Sequence, residues 1–354
     1  MVQCESIRAT NSASDYFLLI TDGVPDNLEV VFPARFLEIS DLGIAQDKLN
    51  KMALYYDEVE FATAMKPSLL KWVLGLGYFS VTFIDPDTLI TGDLSEAQNL
   101  AASHEIVLTP HRLSPGHADS TFSTSSEINF LKYGAYNLGF LSVGKGSLPM
   151  LSWWEEKLEL YCSRKSNLPI FTDQKWIDLV PSYFKHFILR SPAYNLAYWN
   201  IDERGLEKNQ NSFLVNGEPL VFIHFSQMSS RLAKGLGTPL WIEAFSGNQP
   251  KSLEVISDLT DYYVGQLAKS RKLLNENSID LSSGSKNSLH PASGRFSQRF
   301  IIYSQSKNIR FLGYFLARFL SSGFLRKLER SEAFVGFFEG LIADSKRLSL
   351  KLKR

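Results

Sequence analysis

Tyr78-Phe79-Ser80-Val81-Thr82-Phe83-Ile84-Asp85-Pro86-Asp87 is an apolar run closed by two acids. Its aromatic and β-branched residues read as a buried strand, and Pro86, with a fixed φ and no N–H, ends it. The chain turns there, so both carboxylates can reach one hard cation, and a divalent metal held by them could in turn hold a diphosphate. Asp and Pro are also ordinary turn residues, so the surrounding sequence has to decide between a metal site and a plain turn.

Upstream, residues 57–76 carry a helical pattern in which Pro67 opens a new helix at Lys66-Pro67-Ser68-Leu69-Leu70. Earlier still, Tyr16 to Asp22, Val30-Val31-Phe32 and Phe36-Leu37-Glu38-Ile39 read as strands of a parallel sheet. Downstream the alternation continues with a helix over 93–103, strands at Glu105 to Leu108 and Asn137 to Leu141, and a Trp-rich helix over 147–163. This order predicts α/β architecture. Phe213-Leu214-Val215 and Leu220-Val221-Phe222-Ile223 flank Asn216-Gly217, which predicts a hairpin whose second strand ends at His224. Like Asp85, His224 then sits at a strand end.

With 354 residues and 44% hydrophobic content, the chain can bury a full core. Cys4 and Cys162 have no metal-ligand spacing and suggest no disulfide framework, which fits a reducing cytosol. Neither a signal peptide nor a run of about 18 uncharged apolar residues is present, so a cytoplasmic protein, free or peripheral on the inner face of a membrane, is expected. The zero net charge hides an asymmetry: residues 295–354 hold 13 Lys and Arg against 4 Asp and Glu, leaving 24 against 33 for the rest. Such a basic tail, with apolar stretches at Phe311 to Leu320 and Phe334 to Phe338, suits either anionic lipid or the body's own acidic face. The expected organisation is a domain over 1–250, a helical extension over 251–274, a Ser/Asn/Gly-rich linker over 275–298 and a basic amphipathic helical tail over 299–354.

Several blocks stand in order along 55–245: Glu60 to Pro67, Phe83-Ile84-Asp85-Pro86-Asp87, Leu108-Thr109-Pro110-His111, Tyr136-Asn137-Leu138-Gly139-Phe140, Asp173-Gln174-Lys175-Trp176, Tyr194 to Asn200, and His224-Phe225-Ser226. Together they resemble bacterial GT-A-type nucleotide-sugar glycosyltransferases, in particular the branch related to glycogenin-like and lipopolysaccharide sugar transferases. The resemblance implies a GT-A-like, Rossmann-like fold with a mixed, mainly parallel sheet, flanking helices and a helical C-terminal tail. It implies a nucleotide-sugar donor, a glycan or lipid-linked acceptor, and a role in cell-surface polysaccharide assembly, with no nucleic-acid partner.

In that reading Asp85, Asp87 and His224 hold Mn²⁺ or Mg²⁺, the nitrogen favouring Mn²⁺. Lys66 is a second cation for the phosphates. Asn137 and Gly139 line the sugar side together with Asp173 and Gln174, the two residues expected nearest the chemistry. His111 could face the same cleft or merely end a strand, and Asp173 could equally cap a helix. Inversion would need a carboxylate base, for which Asp173 is the candidate, whereas the related branch implies retention.

The chain departs from the family at its start. Only Met1 to Ser14 precede the strand expected at Tyr16, and Cys4 to Thr10 read as the end of a first helix, so the opening strand that contacts the nucleoside is expected either to lie upstream of this start or to be lacking. A catalytically impaired, membrane-associated scaffold is therefore one alternative. Another is an aspartate-nucleophile phosphatase of the haloacid-dehalogenase type, but Thr88 stands three positions after Asp85 rather than four, and some 80 residues precede the motif.

Overall fold

The computed structural model describes residues 1–32, 34–115, 124–164, 168–209, 212–228 and 250–279. The segment 299–354, and 275–298 beyond Ile279, lie outside them. The chain opens with helix α1 (Val2–Thr10), strand β1 (Phe17–Ile20), the short helix α2 (Leu28–Val31) and strand β2 (Arg35–Glu38), which pairs parallel to β1. Val30-Val31-Phe32, expected to be extended, is thus mostly helical. Leu28 N–H donates to Pro25 O (3.3 Å) and Val30 N–H to Asn27 O (3.2 Å), and Val30 points into solvent. Local turn bonds after Pro25-Asp26-Asn27 outweigh the β preference of the two valines.

Three helices follow: α3 (Gln46–Tyr55), α4 (Glu58–Ala64) and α5 (Lys66–Gly75). Asp57 and Glu60 form a reciprocal capping box at the start of α4, and Pro67 sits in the first turn of α5. These fixed ends deliver the chain to β3 (Ser80–Ile84) and, past the Asp85-Pro86-Asp87 turn, to β4 (Thr88–Ile90). Helix α6 (Ser95–His104), β5 (Ile106–Pro110), α7 (Thr124–Tyr133) and β6 (Tyr136–Gly144) come next, followed by α8 (Leu148–Leu158), α9 (Gln174–Ile177), α10 (Val180–Tyr183) and β7 (Phe187–Ile188). Strands β8 (Leu206–Asn209), β9 (Ser212–Val215), β10 (Glu218–Pro219) and β11 (Phe222–His224) precede the long helix α11 (Pro250–Glu276). The linker expected from 275 therefore begins inside a helix at residues 275–276.

The fold is mixed α/β with flanking helices. Its four-stranded sheet has the order β3-β6-β5-β7, and a core of Leu70, Leu108, Leu141, Met150, Leu151 and Trp154 is buried between this sheet and the helices beside it. The expectation of mainly parallel pairing is corrected: β6 runs antiparallel to both neighbours, and among the described residues the parallel pairings are β1–β2, β5–β7 and a single bridge between Leu196 and Ile223. The reason lies in the connection from β5 to β6. His111 N–H donates to Ala135 O (2.9 Å), so the segment 111–135 leaves and returns at the same end of the sheet, and β6 must run back.

The predicted hairpin is corrected as well. Glu218 and Pro219 pair with Val215 and Leu214 across Asn216-Gly217, and the last cross-strand bond runs from Leu220 N–H to Phe213 O (2.8 Å). Phe222–His224 leaves the hairpin and pairs antiparallel with β4, which sets His224 opposite Thr88.

Candidate active site

The turn at Asp85-Pro86-Asp87 is fixed from several sides. Asp85 N–H donates to Gly139 O on β6 (2.9 Å), and Phe225 N–H donates to Asp87 O (2.8 Å). Thr88 Oγ1 donates to Asp85 O (3.0 Å), while Gln3 Nε2 of α1 donates to Asp85 O and to Thr88 Oγ1, both at 2.6 Å. Because β11 lies along β4, His224 Nε2 comes to 3.1 Å from Asp87 Oδ1.

One ligand atom from each of Asp85, Asp87 and His224 lies within 4.8 Å of the other two. A Mg²⁺-like ion with bonds of about 2.1 Å holds ligands about 3 Å apart when adjacent and about 4.2 Å apart when opposite. The donor set fits a divalent cation both in spacing and in chemistry: two carboxylates and one imidazole.

Lys66 stands beside this group. Its Nζ lies 3.2 Å from Asp85 Oδ1 and 3.0 Å from Asp173 Oδ2, donates to Leu138 O (3.0 Å), and sits 4.4 Å from the centre of the Phe83 ring. Burial works against the ammonium charge, but Asp173 and Asp85 outweigh it and push the Lys66 pKa up. Burial raises the Asp85 carboxyl, with Lys66 and His224 only partly offsetting it. For Asp87, burial also acts upward, but the charge and hydrogen bond of His224 hold the carboxyl below its usual range. Burial lowers the His224 imidazole, and Asp87 more than reverses that, so its pKa is raised. Lys66, Asp173 and His224 are buried, while Asp85 and Asp87 remain partly exposed to the cleft.

Asp173 precedes α9 but makes no capping hydrogen bond with its side chain, and its carboxylate faces Lys66 instead. Gln174 is differently engaged: Oε1 accepts from Leu138 N–H (3.0 Å) and Nε2 donates to Tyr133 O (3.0 Å). Its amide pins the start of β6. Asn137 is buried with its Oδ1 accepting from Gly139 N–H and from Asn195 Nδ2, both at 3.0 Å, and its Nδ2 lies 3.2 Å from His111 Nε2. His111 is buried against Phe130 and Trp199, and burial lowers its pKa to about 4.

Gln3, Lys66, Asp85, Asp87, His111, Asn137, Gly139, Asp173, Gln174 and His224 line one cleft of about 1690 Å³, which also reaches β1, β3, α7 and Trp199, whereas Thr88 and Asn195 stand outside its lining. Sequence reasoning did not single out Gln3, Asn195 or Trp199. Asn195 has φ = 57°, a conformation asparagine tolerates better than most residues, and that preference for turns was the one local signal it offered. Gln3 carries no signal in a short helix, and Trp199 entered only as one residue of the Tyr194 to Asn200 block.

No protein-family model matches the chain. A curated relative, the uncharacterized protein YfnD of Bacillus subtilis (strain 168), is 26% identical over 182 residues, which are 47% of this chain and 53% of that protein. The chain thus matches about half the length of that relative. Among solved structures, one similar chain is a glycosyltransferase involved in the glycosylation of the major capsid of PBCV-1, with a TM-score of 0.31 and 10% identity, covering 60% of this chain and 81% of that one. A likeness of that size carries no argument about fold or activity. Among the described residues, no helix is long and apolar enough to cross a membrane.

Proposed function

We propose that this chain is a metal-dependent glycosyltransferase of the GT-A kind, moving a sugar from a nucleoside-diphosphate donor to a glycan or lipid-linked glycan acceptor in cell-surface polysaccharide assembly. The observation that carries this reading is the convergence of Asp85, Asp87 and His224 within 4.8 Å on the wall of the main cleft, with the Lys66–Asp173 ion pair beside them. The ordered sequence blocks support it independently.

Asp85 and Asp87 would hold the cation through oxygen and His224 through a ring nitrogen, which favours Mn²⁺ over Mg²⁺. A bound divalent cation supplies positive charge against the diphosphate as it leaves. Lys66 adds a second positive charge on the same wall and bridges Asp85 and Asp173. Asp173, held by Lys66 rather than by a helix N-terminus, presents a carboxylate to the cleft and is the residue nearest the chemistry in this reading. Gln174 holds β6 in place beneath it. The excess of Lys and Arg in 299–354 suits an anionic membrane surface, where a lipid-linked acceptor would be met.

The test is thermal unfolding with a panel of nucleoside diphosphates and their sugars, with and without Mn²⁺, for the natural chain and Asp87→Ala. Ligands that bind the folded state raise the midpoint by mass action. The expected result is a rise that needs both Mn²⁺ and one nucleotide and is lost in Asp87→Ala. No rise with any pair would refute the donor site and favour the scaffold reading.

A further inference from the structure

Metal-binding imidazoles almost always donate their second ring N–H to a carboxylate, carbonyl or water, and that bond fixes the ring. His224 lacks it. Its Nε2 faces Asp87 Oδ1 at 3.1 Å, while Nδ1 is buried with no hydrogen-bond partner among the described residues. Steric walls take the place of the missing bond. A Cβ placed on Gly139 would stand 2.4 Å from His224 Cε1 and 2.6 Å from Nδ1, so the ring occupies room that only glycine leaves. Trp199 forms a second wall, its ring meeting the imidazole at 86° with centroids 5.3 Å apart.

Gly139 cannot retreat, because its N–H donates to Asn137 Oδ1 (3.0 Å) and its C=O accepts from Asp85 N–H (2.9 Å). One residue of β6 therefore ties the backbone of one acid and bounds the ring of the imidazole. The sequence suggests that Gly139 leaves room for a sugar; in the structure His224 fills that room.

We propose that Gly139 and Trp199 are positioning residues that seat the His224 ring with Nε2 toward the cation, acting on metal affinity through His224 and not through the donor. The inference rests on the metal reading above.

Its test uses Mn²⁺ alone, titrated against the natural chain, Gly139→Ala, Trp199→Leu, His224→Ala and the two double variants with His224→Ala, with unfolding midpoints recorded for each. Outer-shell changes of this kind weaken metal binding by about 10- to 100-fold, which is the expected loss for Gly139→Ala. In the His224→Ala background the same change should alter affinity by no more than about twofold, because its route of action is gone. If Gly139→Ala fails to fold, Trp199→Leu completes the same cycle. Unchanged affinity in the single variants, or an equal loss in both backgrounds, would overturn the proposal while leaving the metal site standing. A natural chain that binds no Mn²⁺ would sink both.

Discussion

Lys66 Nζ lies 3.0 Å from the carboxylate of Asp173, a buried contact between the first residue of one helix and the residue just before another. The same ammonium is 3.2 Å from Asp85, so its removal leaves two carboxylates without their shared counter-charge. Breaking a buried pair from one side costs about 3–5 kcal/mol. Lys66→Met should lose stability of that order in denaturant titrations without metal, and less with saturating Mn²⁺, because the cation neutralises Asp85. Equal losses in both conditions would separate Lys66 from the metal group.

Mn²⁺ affinity should rise with pH. His224 is held protonated above its usual value by Asp87, and the cation has to displace that proton. Stability of the metal-free protein follows the opposite course. The His224 contribution is complete below the unfolded histidine value of about 6.5 and is lost as pH rises through the raised folded value. Asp87, whose folded pKa is lowered, keeps its side of the pair until pH falls through the carboxylate range. Mn²⁺ titrations at about pH 6, 7 and 8 check the first slope. A flat profile would mean that His224 is not a ligand.

His111 predicts an acid limb of its own. The folded protein resists protonating this buried ring until pH reaches about 4, whereas the unfolded chain takes up the proton near the ordinary histidine value of about 6.5. Stability therefore falls as pH drops between those values, by on the order of 3 kcal/mol from this group. The natural chain and His111→Gln should diverge in the pH slope of their unfolding free energy over that window. Parallel slopes would show that the ring is not buried in neutral form.

Gln174→Ala should act on stability more than on metal binding. It leaves Leu138 N–H and Tyr133 O without their partner, a loss of about 1–3 kcal/mol for buried groups. Mn²⁺ affinity should stay within about twofold of the natural chain, because Gln174 bonds to none of Asp85, Asp87 and His224. A large drop in Mn²⁺ affinity with unchanged stability would reverse this assignment.

The two acids were legible in the sequence because strand, proline and turn are all local signals, and Pro67 marked the start of α5 for the same reason. His224 was placed at the end of a strand, where it lies, but that strand was read as part of the Asn216-Gly217 hairpin, whereas it pairs with β4. Antiparallel β6 was not legible, since the direction of a strand depends on where a connection of about two dozen residues lands. Val30-Val31-Phe32 misled because the turn bonds that follow Pro25-Asp26-Asn27, and not the β-branched side chains, set the backbone there. Gly139 was noticed, but which neighbour fills the space beside it depends on a strand some 85 residues further along. Gln3 bonds to the Asp85 turn from the N-terminal helix, and no pattern within that helix predicts it.

The β4–β11 pairing has a consequence for the order of events in folding. Asp85 and Asp87 lie on one side of the β5–β6–β7 region of the chain and His224 on the other, so the third ligand arrives only when a loop of well over a hundred residues has closed. Pairings of such long sequence separation form slowly relative to local structure. On the proposed metal reading, a cation that requires all three side chains would recognise the chain only after its most distant contact is made, and the rate at which Mn²⁺ binding appears during refolding would be a clock for completion of the domain.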